Sequence, residues 1–360
     1  MTGAGEHTLM HSVQKVVKDF GLPRIIILTL FLVLLLLAGI YDMNVPSFLG
    51  DILRRWGMFG ILVLAMVPGI RAGIGPNFGV SVGITAGLLG AVLSVEMRYS
   101  GLFSSAFVGI LVAIAIGVGL ALCMGVLYGM LLNKVKGSEM AISVYVGFSI
   151  VNLFNIVWFL IPLNASILIF PGGGQGLRTM FNLRDDFGGV FNNFLRFSIG
   201  DMNIPTGLLI VFFISCFCMF IFTRSRLGMM MTAAGSNPEF ARSNGINVDR
   251  MRILGTTIST ALGAFGIIVY AQSFGFLQLY LAPLMMGFMS VAAVLIGGAS
   301  VRRARIFDVL LGTLMFQGVL TIALPLINVM LPDVPALPEI LRLIITNGII
   351  LYALTKAKGG

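Results

Sequence analysis

The chain has 360 residues, 58% of them apolar and only 10% charged, with a formal net charge of +9 and a mean hydropathy of +1.02. A soluble domain carries about 45–50% apolar and about 25% charged residues, so this composition excludes a soluble enzyme, a nucleic-acid-binding domain and a disordered chain. The surplus apolar surface must face lipid, and the three cysteines (Cys123, Cys216, Cys218), all within apolar runs, indicate neither a disulfide framework nor a metal site.

Residues 1–23 read as a cytoplasmic segment. Leu9, Val13, Val16, Val17 and Phe20 recur at helical spacing with Gln14, Lys15 and Lys18 opposite, which predicts an amphipathic helix lying on the membrane surface. Chance periodicity in a polar tail is the competing reading. His7 and His11, without carboxylate or cysteine company, read as surface residues rather than a zinc site.

A helix needs roughly 20 apolar residues to cross the hydrocarbon core. We read ten such runs: 24–41, 56–70, 76–95, 104–132, 138–161, 206–223, 253–273, 282–298, 306–329 and 339–355. The first lacks a small-x-small exit before Tyr41 and reads as an uncleaved span. Together the runs predict an all-α integral membrane protein with about ten transmembrane helices over 24–355 and a cytoplasmic tail at 356–360.

The second, third and eighth runs are short or interrupted. Pro68-Gly-Ile-Arg-Ala-Gly-Ile-Gly-Pro76 separates the second from the third, and Pro283, Gly287 and Gly297-Gly298 punctuate the eighth. Ser81-Val82 and Ser290-Val291 fall at comparable places in the two halves. Paired interruptions of this kind are the trace of an internal repeat whose halves meet at a solute path.

Orientation follows from lysine and arginine. With the N-terminus inside, sixteen of the 23 basic residues fall on the cytoplasmic side and seven outside, whereas acidic residues divide six to eight. The positive-inside rule therefore places both termini in the cytoplasm, and it accounts for the net charge without nucleic acid.

Two connections are long. Residues 162–205 lie outside and hold the glycine run 172–176 and, between Leu183 and Phe197, a short helix signal; residues 224–252 lie inside. The glycine run lacks the Lys-Ser/Thr of a phosphate cradle and reads as a flexible loop. No connection has room for a soluble catalytic domain.

The membrane interior holds no chain of ionisable residues of the kind that ion-coupled carriers place at midplane. Its polar content is neutral, and Asn77, Ser81, Asn152, Asn155, Gln272 and Ser290 are the candidates to line a path for an uncharged, hydroxylated solute. Hydrogen bonding between helices is the competing reading for each.

The inner connection is the most informative. Asn237-Pro238-Glu239 is a helix start, with proline at the first helical position and a carboxylate at the positive end of the dipole. Gly245 is a stop. The result is a helix of under two turns between two spans, either a docking element for a partner or a capped connector.

Here the sequence resembles a family. Arg226-Leu-Gly228, then Ala233-Ala-Gly235-Ser-Asn237, Ala241-Arg242 and Gly245-Ile-Asn-Val248 look like the coupling loop of permease subunits of bacterial ABC importers, closest in type to the ribose-permease-like group. Gly79-Val-Ser-Val-Gly83 and Val294-Leu-Ile-Gly-Gly-Ala-Ser300 match two further elements of that group. The chain departs from it at Gly75-Pro-Asn77-Phe78, closer to nucleoside-type permeases, at Arg302-Arg303-Ala-Arg305, which replaces a glycine-rich stretch, and in a longer 162–205 loop.

The resemblance implies a permease domain at 24–355 in a bacterial inner (cytoplasmic) membrane, acting by alternating access. It implies cytoplasmic ATP-binding subunits that carry the ATP and Mg, no cofactor or enzymatic activity in this chain, a second permease copy or a paralogue, and a periplasmic or lipid-anchored substrate-binding protein. Gly235, Asn237, Pro238, Glu239, Ala241, Arg242 and Gly245 would couple to the ATPase. The implied solute is a neutral sugar, with a nucleoside as the alternative. An ion-coupled carrier and a non-transporting scaffold are the readings from other classes.

Overall fold

The computed structural model describes residues 22–169, 176–184 and 186–330, with Ile340, Leu343, Ile344, Asn347, Gly348 and Leu351 from the last stretch. The apolar runs form α1 (Leu22–Ile40), α2 (Val45–Leu64), α3 (Met66–Arg71), α4 (Ser81–Tyr99, entered by a 3-10 turn at Phe78–Val80), α5 (Ala106–Lys134) and α6 (Glu139–Leu160). The second half contains α7 (Val190–Asn193), α8 (Thr206–Arg224), α9 (Arg226–Ser236), α10 (Pro238–Ser243), α11 (Val248–Phe274), α12 (Ala282–Ile296) and α13 (Ile306–Met330). Among the described residues, seven segments are long and apolar enough to cross a membrane, and Arg24–Ile40 and Ala282–Ile296 are shorter apolar helices. Nine of the ten expected spans thus have their helix, and the protein is an all-α, multi-pass membrane protein. The tenth, 339–355, and the amphipathic segment at 8–20 lie outside the described residues or, for the tenth, are described only at isolated positions.

Two expected boundaries move. The second span begins not at 56 but at Val45, because Asn44 caps the helix by accepting the Ser47 N–H at 3.1 Å and Pro46 sits in its first turn. Asp51, Arg54 and Arg55, whose charge ended the apolar run, ride on these first turns. The seventh expected span, α11, begins at Val248 rather than 253, since Asn247 accepts the Arg250 N–H at 3.0 Å. The 224–252 connection is therefore mostly helix.

Among the described residues, strand is confined to four three-residue pieces. β1 (Met180–Asn182) pairs antiparallel with β4 (Phe276–Gln278), and β2 (Phe197–Ile199) forms a hairpin with β3 (Met202–Ile204), Phe197 opposite Ile204. The expected helix within 183–197 is the single turn α7, entered through Gly189 at φ +73°.

The helices alternate direction between two ends. At one end Arg252 of α11 pairs with Glu139 and donates to Asn133 Oδ1 at 3.0 Å, and Arg71 Nε donates to the Ala304 carbonyl at 3.0 Å. At the other, the Glu96 carboxylate accepts the N–H groups of Asn164 and Ala165, and β1–β4 ties the long 162–205 connection to the C-terminus of α11.

α4, α5 and α11 form the centre. A Cβ at Gly83 would strike the Thr260 carbonyl, one at Gly90 would lie 2.5 Å from the Gly117 nitrogen and one at Gly125 2.9 Å from Thr257 Cα. Small residues let these backbones touch, which drives helix association in lipid where the hydrophobic effect does not. Of the spanning window of α4, 89% is buried, against 22% for α6, so α4 is the axis and α6 belongs to the rim.

Candidate coupling element and translocation path

Helix α10 is defined by local chemistry. Asn237 leaves α9 in an extended conformation and its side chain accepts the Phe240 N–H at 3.0 Å, with Pro238 following and Glu239 in the first turn. At the other end Gly245 takes φ +76°, its N–H donates to the Arg242 carbonyl at 3.0 Å, and the Ile246 N–H reaches the Ala241 carbonyl at 3.0 Å. This left-handed closure needs glycine. Ala241 is buried against Ala234 and Val248. The opposite face is open: Glu239, Arg242 and the Phe240 ring, 62% exposed, project away from the bundle.

The expected coupling residues therefore divide. Asn237, Pro238 and Gly245 shape α10, Glu239 and Arg242 face outward, and Ala241 faces inward. Gly235 does something different. It packs on the backbone where α3 ends: a Cβ there would overlap the Arg71 carbonyl oxygen and lie 2.6 Å from the Gly73 nitrogen, and one on Gly73 would lie 2.8 Å from Gly235 Cα. On the other side of the same turn, a Cβ at Gly255 of α11 would lie 2.9 Å from the Pro68 carbonyl. The α9–α10 unit thus rests on the turn after the broken helix without intervening side chains.

That turn leads through Gly73 (φ +77°) and Gly75 (φ +90°) to Asn77. Asn77 is buried, its Nδ2 donating to Ser259 Oγ at 2.8 Å while its Oδ1 accepts from the Tyr128 hydroxyl at 2.9 Å. Ser259 Oγ in turn donates to the Ala65 carbonyl at 2.6 Å, at the break between α2 and α3. One continuous hydrogen-bonded chain therefore joins α5, the 77 turn, α11 and the α2–α3 break.

Of the expected path residues, Asn77, Ser81 and Ser290 are all buried; Ser81 faces the helix that carries Ser290, whereas Asn77 is directed to Ser259 and Tyr128, and the rest lie elsewhere. Ser81 Oγ donates to the Pro283 carbonyl at 3.2 Å, and Gly287 of α12 approaches Ser81 Oγ and the Phe78 carbonyl. Ser290 is fully buried and its hydroxyl donates to the Met286 carbonyl at 2.7 Å. Gln272 stands at the strand-bearing end, where its Oε1 accepts the Phe191 N–H at 3.1 Å and its backbone carbonyl accepts from Gly189. Asn152 lies on the exposed face of α6, donating to the Phe148 carbonyl at 2.9 Å. Asn155 is half-buried, with its Oδ1 shielded and without a hydrogen-bond partner.

Sequence reasoning did not select Tyr128, Gly73 or Phe240. Tyr128 lies in an apolar run, and only its partner reveals its role. Gly73 is one of 45 glycines. Phe240 carried a readable signal, an aromatic residue beside a charge on a helix too short to bury it. Among the described residues no three His, Cys, Asp or Glu side chains converge on a metal-sized site.

Over residues 48–354 the chain matches the family described as branched-chain amino acid transport system / permease component. Among curated proteins it is similar to the nucleoside ABC transporter permease protein NupB of Lactococcus lactis subsp. cremoris (strain MG1363), 29% identical over 167 residues. That match takes in 46% of this chain and 42% of the relative, so the chain spans less than half the length of the curated relative. No solved structure matches the chain. The family match runs through both the broken α2–α3 segment and the capped helix α10: the chain belongs to the branched-chain amino acid transport system permease family.

Proposed function

We propose that the chain forms one half of the translocation pathway of an ATP-driven importer in a bacterial inner membrane. α10 faces the cytoplasm and docks on a separate ATP-binding subunit; ATP and Mg belong to that subunit, and this chain is not an enzyme. A second copy or a paralogue completes the path, and a substrate-binding protein delivers solute at the strand-bearing end. The observation that carries this reading is the seat of α9–α10. A rigid, capped helix presenting Phe240, Glu239 and Arg242 rests through Gly235 on the turn leading to Asn77.

Asn77, Ser81 and Ser290 are the residues we assign to the path, where the buried amide and hydroxyls would exchange their internal hydrogen bonds for those of an uncharged, hydroxylated solute. Asn152, Asn155 and Gln272 complete the candidate set at the rim and the outer end. Between the two solute classes we favour a nucleoside over a simple sugar, because the similar curated permease is named for nucleosides and the Asn77 element resembles that type.

The test is uptake of radiolabelled uridine, adenosine and ribose by cells expressing the chain with its neighbouring transport genes, compared with the double variant Glu239→Ala/Arg242→Ala. Loss of uptake at unchanged membrane level supports the assignment; unaltered uptake overturns it. Uptake of ribose but not nucleosides reverses the order of solutes.

A further inference from the structure

We propose that a cleft between α3, α9 and the start of α13 is a binding site for a phosphate group. Arg71, Thr232, Ser236 and Arg302-Arg303-Ala304-Arg305 line one concavity of about 350 Å³. The four arginines come from two segments more than 200 residues apart, and no carboxylate joins them on the wall. The positive-inside rule accounts for the sign of these charges at this end. It does not account for their convergence on one cleft.

The loop is built to hold this arrangement. Ser300 Oγ accepts the N–H groups of Arg302 and Arg303 at 3.4 and 3.1 Å, and the Ser300 N–H donates to the Arg303 carbonyl at 2.8 Å, closing a tight turn. Arg71 Nε is spent on the Ala304 carbonyl, which leaves its two terminal amino groups. Among the described residues the Arg302 and Arg305 guanidinium groups enter no hydrogen bond or ion pair. Asp308, at the same junction, has its oxygens engaged by Arg24 at 3.1 Å and by the Arg305 N–H at 2.9 Å.

The donor inventory selects the ligand. The hydroxyls of Thr232 and Ser236 donate to the Gly228 and Thr232 carbonyls, both at 2.8 Å, so the free side-chain donors of the cleft are guanidinium groups. A ligand that satisfies them must be an acceptor-rich anion. A phosphate presents several oxygens in a geometry that takes paired N–H bonds from more than one arginine. A halide offers one centre, and a sugar brings donors of its own. The phosphate would be supplied by an anionic phospholipid headgroup or by a soluble phosphate ester. Bound there, it would tie α9 to the 302–305 loop across Arg71, the residue whose carbonyl already meets Gly235. The binding itself does not depend on the transport reading.

The experiment uses the purified full chain and two probes. Pyrophosphate is titrated against the chain in neutral detergent with thermal unfolding as the readout, and nanodiscs of phosphatidylcholine alone or with 30% phosphatidylglycerol are compared by native mass spectrometry for retained lipid. Wild type is set beside Arg302→Gln/Arg303→Gln and beside Arg226→Gln/Arg250→Gln, exposed arginines that do not line the cleft. We expect the cleft pair to lose about tenfold or more in affinity, the loss of one charge-assisted interaction or more, with the control pair unchanged. Retention of phosphatidylglycerol without a pyrophosphate shift identifies a lipid headgroup, and a pyrophosphate shift identifies a soluble phosphate. Absence of both in wild type, or equal losses in both pairs, overturns the proposal. If the glutamine pair does not fold, Arg302→Lys/Arg303→Lys keeps the charge, removes the fork and must still weaken binding.

Discussion

Replacing Gly235 by alanine tests whether α9 and the turn after α3 move as one body. The added Cβ would overlap the Arg71 carbonyl oxygen and lie 2.6 Å from the Gly73 nitrogen and 2.8 Å from the Ala72 carbonyl carbon. Ordinary Cβ contacts begin near 3.4 Å. Every atom struck is backbone, so no side chain can rotate aside and α9 must back away by about 1 Å. Overpacking of this kind costs about 1–3 kcal/mol. Because Gly235 is helical, the substitution adds no backbone strain, and the outward face of α10 keeps its shape. We expect thermal unfolding of the purified chain to fall by several degrees and solute uptake to drop at least about tenfold, while an ATP-binding subunit still co-purifies in normal amount. Gly73→Ala should be worse, since it adds left-handed strain at φ +77° to a contact of 2.8 Å with Gly235 Cα. Gly119→Ala, with nothing within 4 Å of its Cβ, is the neutral control. Wild-type uptake and stability in Gly235→Ala would refute the idea that this contact transmits motion.

Three further outcomes follow from the hydrogen bonds and charges. Tyr128→Phe leaves Asn77 Oδ1 buried with no donor, which should cost about 1–3 kcal/mol; the thermal midpoint in detergent measures it, and Ser259→Ala should match or exceed it because that hydroxyl both accepts from Asn77 and donates to the Ala65 carbonyl. Glu139→Ala strands the Arg252 guanidinium, whose side chain is 10% exposed, and should destabilise by about 3 kcal/mol, whereas Lys136→Ala removes only a half-exposed pair with Asp249 and should cost under about 1 kcal/mol by the same unfolding assay. Phe240→Ala should leave the unfolding temperature unchanged, since the ring is 62% exposed, yet abolish uptake and co-purification of an ATP-binding subunit; Asn237→Ala should lose the cap, about 1 kcal/mol, and weaken both readouts partially.

The helical membrane class and nine of the spans were legible in the chain itself, because lipid rewards runs of apolar side chains wherever they fall in the fold. So were the limits of α10, since Asn237, Pro238 and Gly245 act within a few residues through capping and left-handed closure. Hydropathy misplaced the start of the second helix because a capped end tolerates Asp51, Arg54 and Arg55, which a run of apolar residues does not. Other facts belonged to the tertiary structure alone. Asn77 reaches Ser259 across 182 residues, Gly235 meets Arg71 to Gly73, and Arg71 shares a cleft with Arg302 to Arg305. A polar residue or a glycine inside a membrane span looks the same in sequence whether it lines a path, joins two helices or lets two backbones touch. Only the packing of distant segments decides which, because each of those roles is a property of the neighbour as much as of the residue.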